Sequence, residues 1–134
     1  MYILSLKNVQ LDLQANSYTE IRKLIDASMR SNFKYIIYGA LFFTLLLLIN
    51  NIKTPGSLLF ITTAIAFIAL IIDTTLTLKG NLPINDVINT WNHDNIPSNW
   101  AEYRTKWFNV FQYRQLANIT GFVSLLIGAV FGTK

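Results

Sequence analysis

Charge in this chain is segregated, and that segregation limits the fold more than any other feature. Three stretches are almost free of ionisable side chains: Tyr35 to Ile49, Ser57 to Leu78 and Leu116 to Gly132. The charged residues crowd between them. A lipid core excludes charge locally, and a crossing needs about 20 apolar residues, with roughly 17–25 tolerated. The second run meets this outright. The first and third meet it if their amphipathic flanks extend the helix. No backbone group can go unpaired in hydrocarbon, so each run must be helical. Asn50-Asn51-Ile52-Lys53-Thr54-Pro55-Gly56 supplies turn chemistry after the first run, and Lys79-Gly80 ends the second.

Composition agrees. Of 134 residues, 52% are hydrophobic and 13% charged, against about 25% charged in soluble domains. The mean hydropathy is +0.38. The length allows one domain, residues 1–134. With no cysteine and one histidine, His93, disulfides, thiolate sites and multi-histidine metal sites within one chain are excluded, so no metal or cofactor is expected. The net charge of +4 points to anionic lipid rather than nucleic acid, given three spans.

The flanks read as helices. Ser17-Tyr18-Thr19-Glu20 fits a capping box. Beyond it Ile21, Leu24, Ile25, Ser28, Met29 and Phe33 recur at three- and four-residue steps, with Arg22, Lys23, Asp26 and Arg30 on the other face. One long helix over 18–50, or two with a bend, is predicted, its first half outside the membrane. Between the second and third spans, Pro83 suits a first helical turn. Ile84, Val87, Ile88 and Trp91 then form a short amphipathic stripe, with Trp91 suited to the membrane–water boundary. Asn92 to Pro97 is a turn, and Ser98 can cap the last helix, expected over about residues 99–131. Trp100, Tyr103, Trp107, Phe111, Arg114, Asn118, Gly121 and Leu125 run along one face of it.

Nine of the eleven basic residues lie before the first span or between the second and third. The positive-inside rule then makes the N-terminal segment and the 79–115 connector cytoplasmic. The expected architecture is an all-α integral membrane helical bundle, three transmembrane helices with amphipathic cytoplasmic helical extensions, multi-pass in a plasma membrane.

Leu82-Pro83-Ile84-Asn85, then Trp91, Pro97, Trp100, Arg104, Trp107 and Arg114, resemble the anthrone oxygenase-like family of small membrane proteins. That family's pattern is a Pro-x-Asn after a span, a later Trp, then Trp-x-x-x-Arg-x-x-Trp and an Arg seven residues on. Leu24-Ile25-Asp26 resembles the family's segment before its second helix. The resemblance covers roughly residues 10–130. It implies a four-helix-bundle-like fold and cofactor-independent oxidation of anthrone-like aromatics. Two departures stand out. The family's first span lies upstream of the capped segment, where this sequence has Met1-Tyr2-Ile3-Leu4-Ser5-Leu6. Many relatives carry a His one turn before the last Arg, where this sequence has Phe111 and Gln112.

Among candidate site residues Asp73 is the most informative. It lies six residues before Lys79, about 9 Å up a helix. A carboxylate in hydrocarbon costs about 2.5–3.5 kcal/mol and usually faces a partner or water. Arg114 enters the third span from the same side, so an Asp73–Arg114 ion pair is predicted. It would either fix helix register or handle substrate or protons. Asn118, one turn above Arg114, could bond across helices. Gly128-x-x-x-Gly132 permits close packing or a homo-oligomer. The aromatic stripe from Trp100 through Trp107 either packs the cap or, with Arg104 and Asn85, walls a pocket for a flat apolar small molecule. His93 reads as a solvated loop residue. The spans hold too few ionisable groups for a transport path. Two functions remain open: a binder of an apolar small molecule or of a partner protein, and the oxygenase that the resemblance implies.

Overall fold

The structure is a computed structural model that describes residues 13–132. Met1–Leu6, where the resemblance puts a further span, lies outside the described residues. Among the described residues four α-helices follow in order: α1 (Ala15–Asn50), α2 (Leu58–Leu76), α3 (Leu82–Asn89) and α4 (Trp100–Phe131). A π-turn over Thr77–Asn81 joins α2 to α3 without a break. Three helices, Ala15–Asn50, Leu58–Asn89 and Trp100–Phe131, are long and apolar enough to cross a membrane. The protein is an all-α, multi-pass membrane bundle.

The distribution of side chains gives the physical reason. Between the spans the buried residues other than Asp73 are small or hydroxylic: Thr44, Thr62, Thr63, Ala66, Ala69, Gly121, Ser124 and Gly128. Phe43, Ile68, Leu116, Phe122 and Leu126 face outward, each more than half exposed. Water would penalise so large an apolar surface, whereas acyl chains solvate it. The threonines close their own hydroxyls on the carbonyl four residues back, as Thr62 does to Leu58 O at 2.8 Å and Thr63 to Leu59 O at 2.7 Å. These threonine hydroxyls then need no water.

Packing between α2 and α4 depends on glycine. A Cβ at Gly128 would collide with Thr62 Oγ1, and one at Gly121 would sit 3.3 Å from the Ala69 Cβ. At Gly132 it would come within 3.0 Å of Leu59. The Gly128-x-x-x-Gly132 face is therefore occupied by α2 of the same chain.

α1 has 36 residues, about 54 Å at 1.5 Å per residue, well beyond the roughly 30 Å of bilayer hydrocarbon. Its first half, residues 15–34, projects as a cap together with α3 and the start of α4. The cap core is Tyr18, Ile88 and Trp91, with Leu13, Ile84, Ile96, Trp100 and Tyr103 around it. Trp91 is 4% exposed and meets the Tyr103 ring edge-on at 5.3 Å, so it packs the cap rather than lying at a membrane boundary.

Three local expectations are corrected. Helix α1 starts at Ala15 after Gln14, so Ser17 lies inside the helix and makes no capping box; the first turn is held by Tyr18 in the cap core. Ser98 is no cap either, because α4 begins after Asn99, with Trp100 N–H bonded to Pro97 O at 3.1 Å. Ser57 is a cap, its Oγ accepting from Phe60 N–H at 3.2 Å. Lastly, the helix does not stop at Lys79-Gly80. Pro83 lacks an N–H and would crowd the carbonyl four residues back in a regular α-helix. The π-turn, in which Leu82 N–H reaches Thr77 O, lets the chain pass that point as helix.

Candidate functional site

Two polar ladders meet beneath the cap. On α1, Arg22, Asp26 and Arg30 recur every four residues; on the α2–α3 helix, Asn81, Asn85 and Asn89 do the same. Residues four apart share a helix face, so each ladder presents one edge to the other. Asn85 lies at the crossing. Its Oδ1 accepts from Trp107 Nε1 at 2.8 Å and, at 3.5 Å, from Arg22. Its Nδ2 donates to Asp26 Oδ1 at 2.8 Å. Asp26 Oδ2 accepts from Asn89 at 2.8 Å and from Arg30 Nε at 3.1 Å. Arg30 also reaches Asp86 at 2.7 Å.

The second half of the network lies toward the membrane. Asn81 donates to Trp107 O at 3.0 Å, and its Oδ1 accepts from Arg114 Nη1 at 3.0 Å. Arg114 Nε donates to Asp73 Oδ1 at 2.7 Å. The predicted Asp73–Arg114 pair is thus present and buried, with side chains 3% and 13% exposed.

Electrostatics in the cap follow from burial and partners. Burial disfavours the Asp26 charge. Hydrogen bonds from Asn89, Arg30 and Asn85, with the Arg30 charge, outweigh it and hold the carboxyl below its usual 3.8. Burial also pulls the Arg22 pKa down from its ordinary value, opposed by the Tyr18 and Asp26 charges; its guanidinium lies 3.8 Å from the Trp107 ring centroid. The Arg22 Nε and the Tyr18 hydroxyl are buried with no hydrogen-bond partner among the described residues.

Against this network lies a cavity of about 290 Å³. α1 packs on α2 and α3, and α4 packs on α2; the cavity fills the groove left between α1 and α4. Its apolar wall includes Met29, Phe33 and Ile37 from α1, Leu78 from the π-turn and Phe111 from α4. Arg22, Asp26, Asn81, Asn85 and Arg114 form its polar edge. The Trp107 and Phe111 rings stack with centroids 5.0 Å apart and planes 22° from parallel.

The sequence-predicted residues divide accordingly. Asn85, Trp107 and Arg114 line the cavity. Asp73 stands behind Arg114 and outside the lining. Trp100 and Arg104 stack on each other, centroid distance 4.7 Å, beside Tyr18 and away from the cavity. Asn118 is exposed, on the outer side of α4. His93 pairs with Glu20 at 3.0 Å on the exposed rim of the cap. Arg22, Asp26 and Asn81 were not predicted as site residues. Periodicity puts Arg22 and Asp26 on a water-facing side, but they are 5% and 6% exposed while Leu24 is 71% exposed. The matching four-residue spacing of the two ladders was the available signal. No group of three or more His, Cys, Asp or Glu able to hold a metal occurs among the described residues. Compared with protein-family models, curated proteins and solved structures, the chain finds no match in any of the three.

Proposed function

We propose that this membrane protein binds an apolar small molecule in the cavity between α1 and α4, and that the cap faces the cytoplasm. The observation that carries the reading is the cavity itself: an apolar wall with an aromatic end, edged by a few fixed polar groups. Small-molecule sites have that construction. The polar groups are set before any ligand arrives: Asn81 donates to Trp107 O, the Trp107 indole N–H donates to Asn85 Oδ1, and Asn85 donates to Asp26. The basic residues of the cap and connector supply the orientation.

The test is titration of a neutral aromatic fluorophore, 1-aminoanthracene, into the protein in zwitterionic nanodiscs, with empty nanodiscs as reference. Saturable enhancement is expected, lost in Met29→Trp and Leu78→Trp, which fill the groove. Enhancement equal to that of empty nanodiscs, or unchanged in both variants, would refute the reading.

The stacked Trp107 and Phe111 rings favour a flat aromatic among apolar ligands. They also keep a second reading alive: cofactor-independent oxidation of an anthrone-like aromatic by dioxygen. That reaction needs a base beside an acidic C–H. The carboxylate on the cavity edge, Asp26, already accepts three hydrogen bonds, and Asp73 is tied to Arg114. Binding is therefore placed ahead of oxidation. Anthrone consumption under oxygen, compared between wild type and Asp26→Asn, separates the two.

A further inference from the structure

Four cations line the cavity, Arg22, Arg30, Lys34 and Arg114, with one carboxylate, Asp26. Two of the four are matched. Arg30 lies between Asp26 and Asp86, and Arg114 holds Asp73. Lys34 is exposed and stands 5.0 Å from the Tyr35 ring centroid. Arg22 is the exception. It is 5% exposed and has no carboxylate within 4.0 Å among the described residues. Its bond to Asn85 Oδ1 is long at 3.5 Å, and that oxygen is already engaged by Trp107. Its Nε, and the nearby Tyr18 hydroxyl, have no partner among the described residues. A guanidinium removed from water is tolerated when a counter-charge and hydrogen-bond acceptors are supplied. Stacking on Trp107 supplies neither.

We infer that the cavity is built for an apolar carboxylic acid, its carboxylate received by Arg22 and its body lying along Met29, Phe33 and Leu78. The inference rests on the binding function proposed above and names the ligand class. A carboxylate matches the planar fork of a guanidinium. Among the described residues Arg22 has no carboxylate in direct contact, and a ligand carboxylate would supply one. Asp26 does not repel it strongly, since both its oxygens are taken by Arg30, Asn85 and Asn89. A volume of about 290 Å³ is at the small end of ligand sites, roughly 300–1,000 Å³. That suits a single chain or one fused ring system and excludes a two-chain lipid. An acyl acid drawn from the bilayer and an aromatic acid from water share this chemistry.

The experiment is calorimetric titration of the wild-type protein in zwitterionic nanodiscs with octanoate, octanamide, octylammonium and 1-naphthoate, against empty nanodiscs. At least one acid is expected to bind roughly tenfold or more tighter than octanamide, the scale of a hydrogen bond to a charged group, and octylammonium not at all. Octanoate leading identifies an acyl ligand; naphthoate leading identifies an aromatic one. Arg22→Gln should bring the acids down to the octanamide level, and Arg22→Lys should retain part of the preference. Octanamide binding as well as both acids overturns the inference and leaves the cavity reading intact. So does binding of 1-aminoanthracene alone. If neither that fluorophore nor an acid binds, both readings fall. The wild-type comparison of acid with amide decides the matter even if Arg22→Gln does not fold.

Discussion

Arg114 and Asp73 meet inside the bundle, Nε to Oδ1 at 2.7 Å, although 41 residues separate them in sequence. Asn81 takes the other side of the same guanidinium at 3.0 Å. One carboxylate and one amide thereby anchor α4 to the helix that carries both. Removing one member of a buried pair strands the other charge, which costs about 3–5 kcal/mol. Asp73→Asn and Arg114→Met should each lose stability on that scale in detergent unfolding. The double replacement Asp73→Leu with Arg114→Met should recover much of the loss. Single variants as stable as wild type would show that the pair contributes little.

The Asp26 carboxyl makes stability depend on acid. Its pKa in the folded protein is below the ordinary 3.8, so folding favours the ionised form. That contribution is complete above the ordinary value and disappears as pH falls through the depressed one. Asp26→Asn should be less stable than wild type at neutral pH and should converge on it in strong acid. Unfolding curves taken across pH in a neutral detergent measure this. A deficit of constant size down to the lowest pH would rule out the charge as its source.

Two glycines should respond in opposite directions. Gly128 faces Thr62, whereas a Cβ at Gly39 would meet nothing within 4 Å. Gly128→Val should destabilise by about 1–3 kcal/mol, the usual cost of overpacking. Gly39→Ala should stabilise by up to about 1 kcal/mol through helix propensity. Thermal unfolding of the two variants side by side gives the comparison.

The absence of cysteine makes the topology directly measurable. Lys53→Cys, in the exposed turn between α1 and α2, and Glu102→Cys, at the exposed start of α4, should lie on opposite sides of the membrane. A thiol reagent that cannot cross sealed vesicles should label only one of them from a given side. Labelling of both from one side would contradict the three-span crossing.

The spans and the Asp73–Arg114 pair were legible because hydrocarbon is strict. A lone carboxylate in an apolar run needs a partner, and Arg114 was a long cation entering the adjoining run from the same side. The long last helix was legible too, expected over about 99–131 and found at Trp100–Phe131. Arg22 and Asp26 were misplaced because an amphipathic stripe was taken to turn its polar side to water. In α1 the polar side turns inward to Asn85 and Asn89, and Leu24 turns out. Ser17 has the spacing of a cap, but packing of Tyr18 decides where α1 begins. Gly80 and Pro83 carry ordinary signals for a break. Only the wide turn, with Gly80 pressed against Val110, shows how a helix passes through them.

That wide turn also fixes an angular phase. Asp73 hangs from the helix on one side of it and Asn85 on the other. Inserting or deleting one residue between Thr77 and Asn81 would swing everything beyond by about 100° and slide it by about 1.5 Å. Asp73 would still engage Arg114, but Asn85 would swing off Trp107. A single-residue indel there would act as a clutch, disengaging the cap from a membrane bundle that stays assembled.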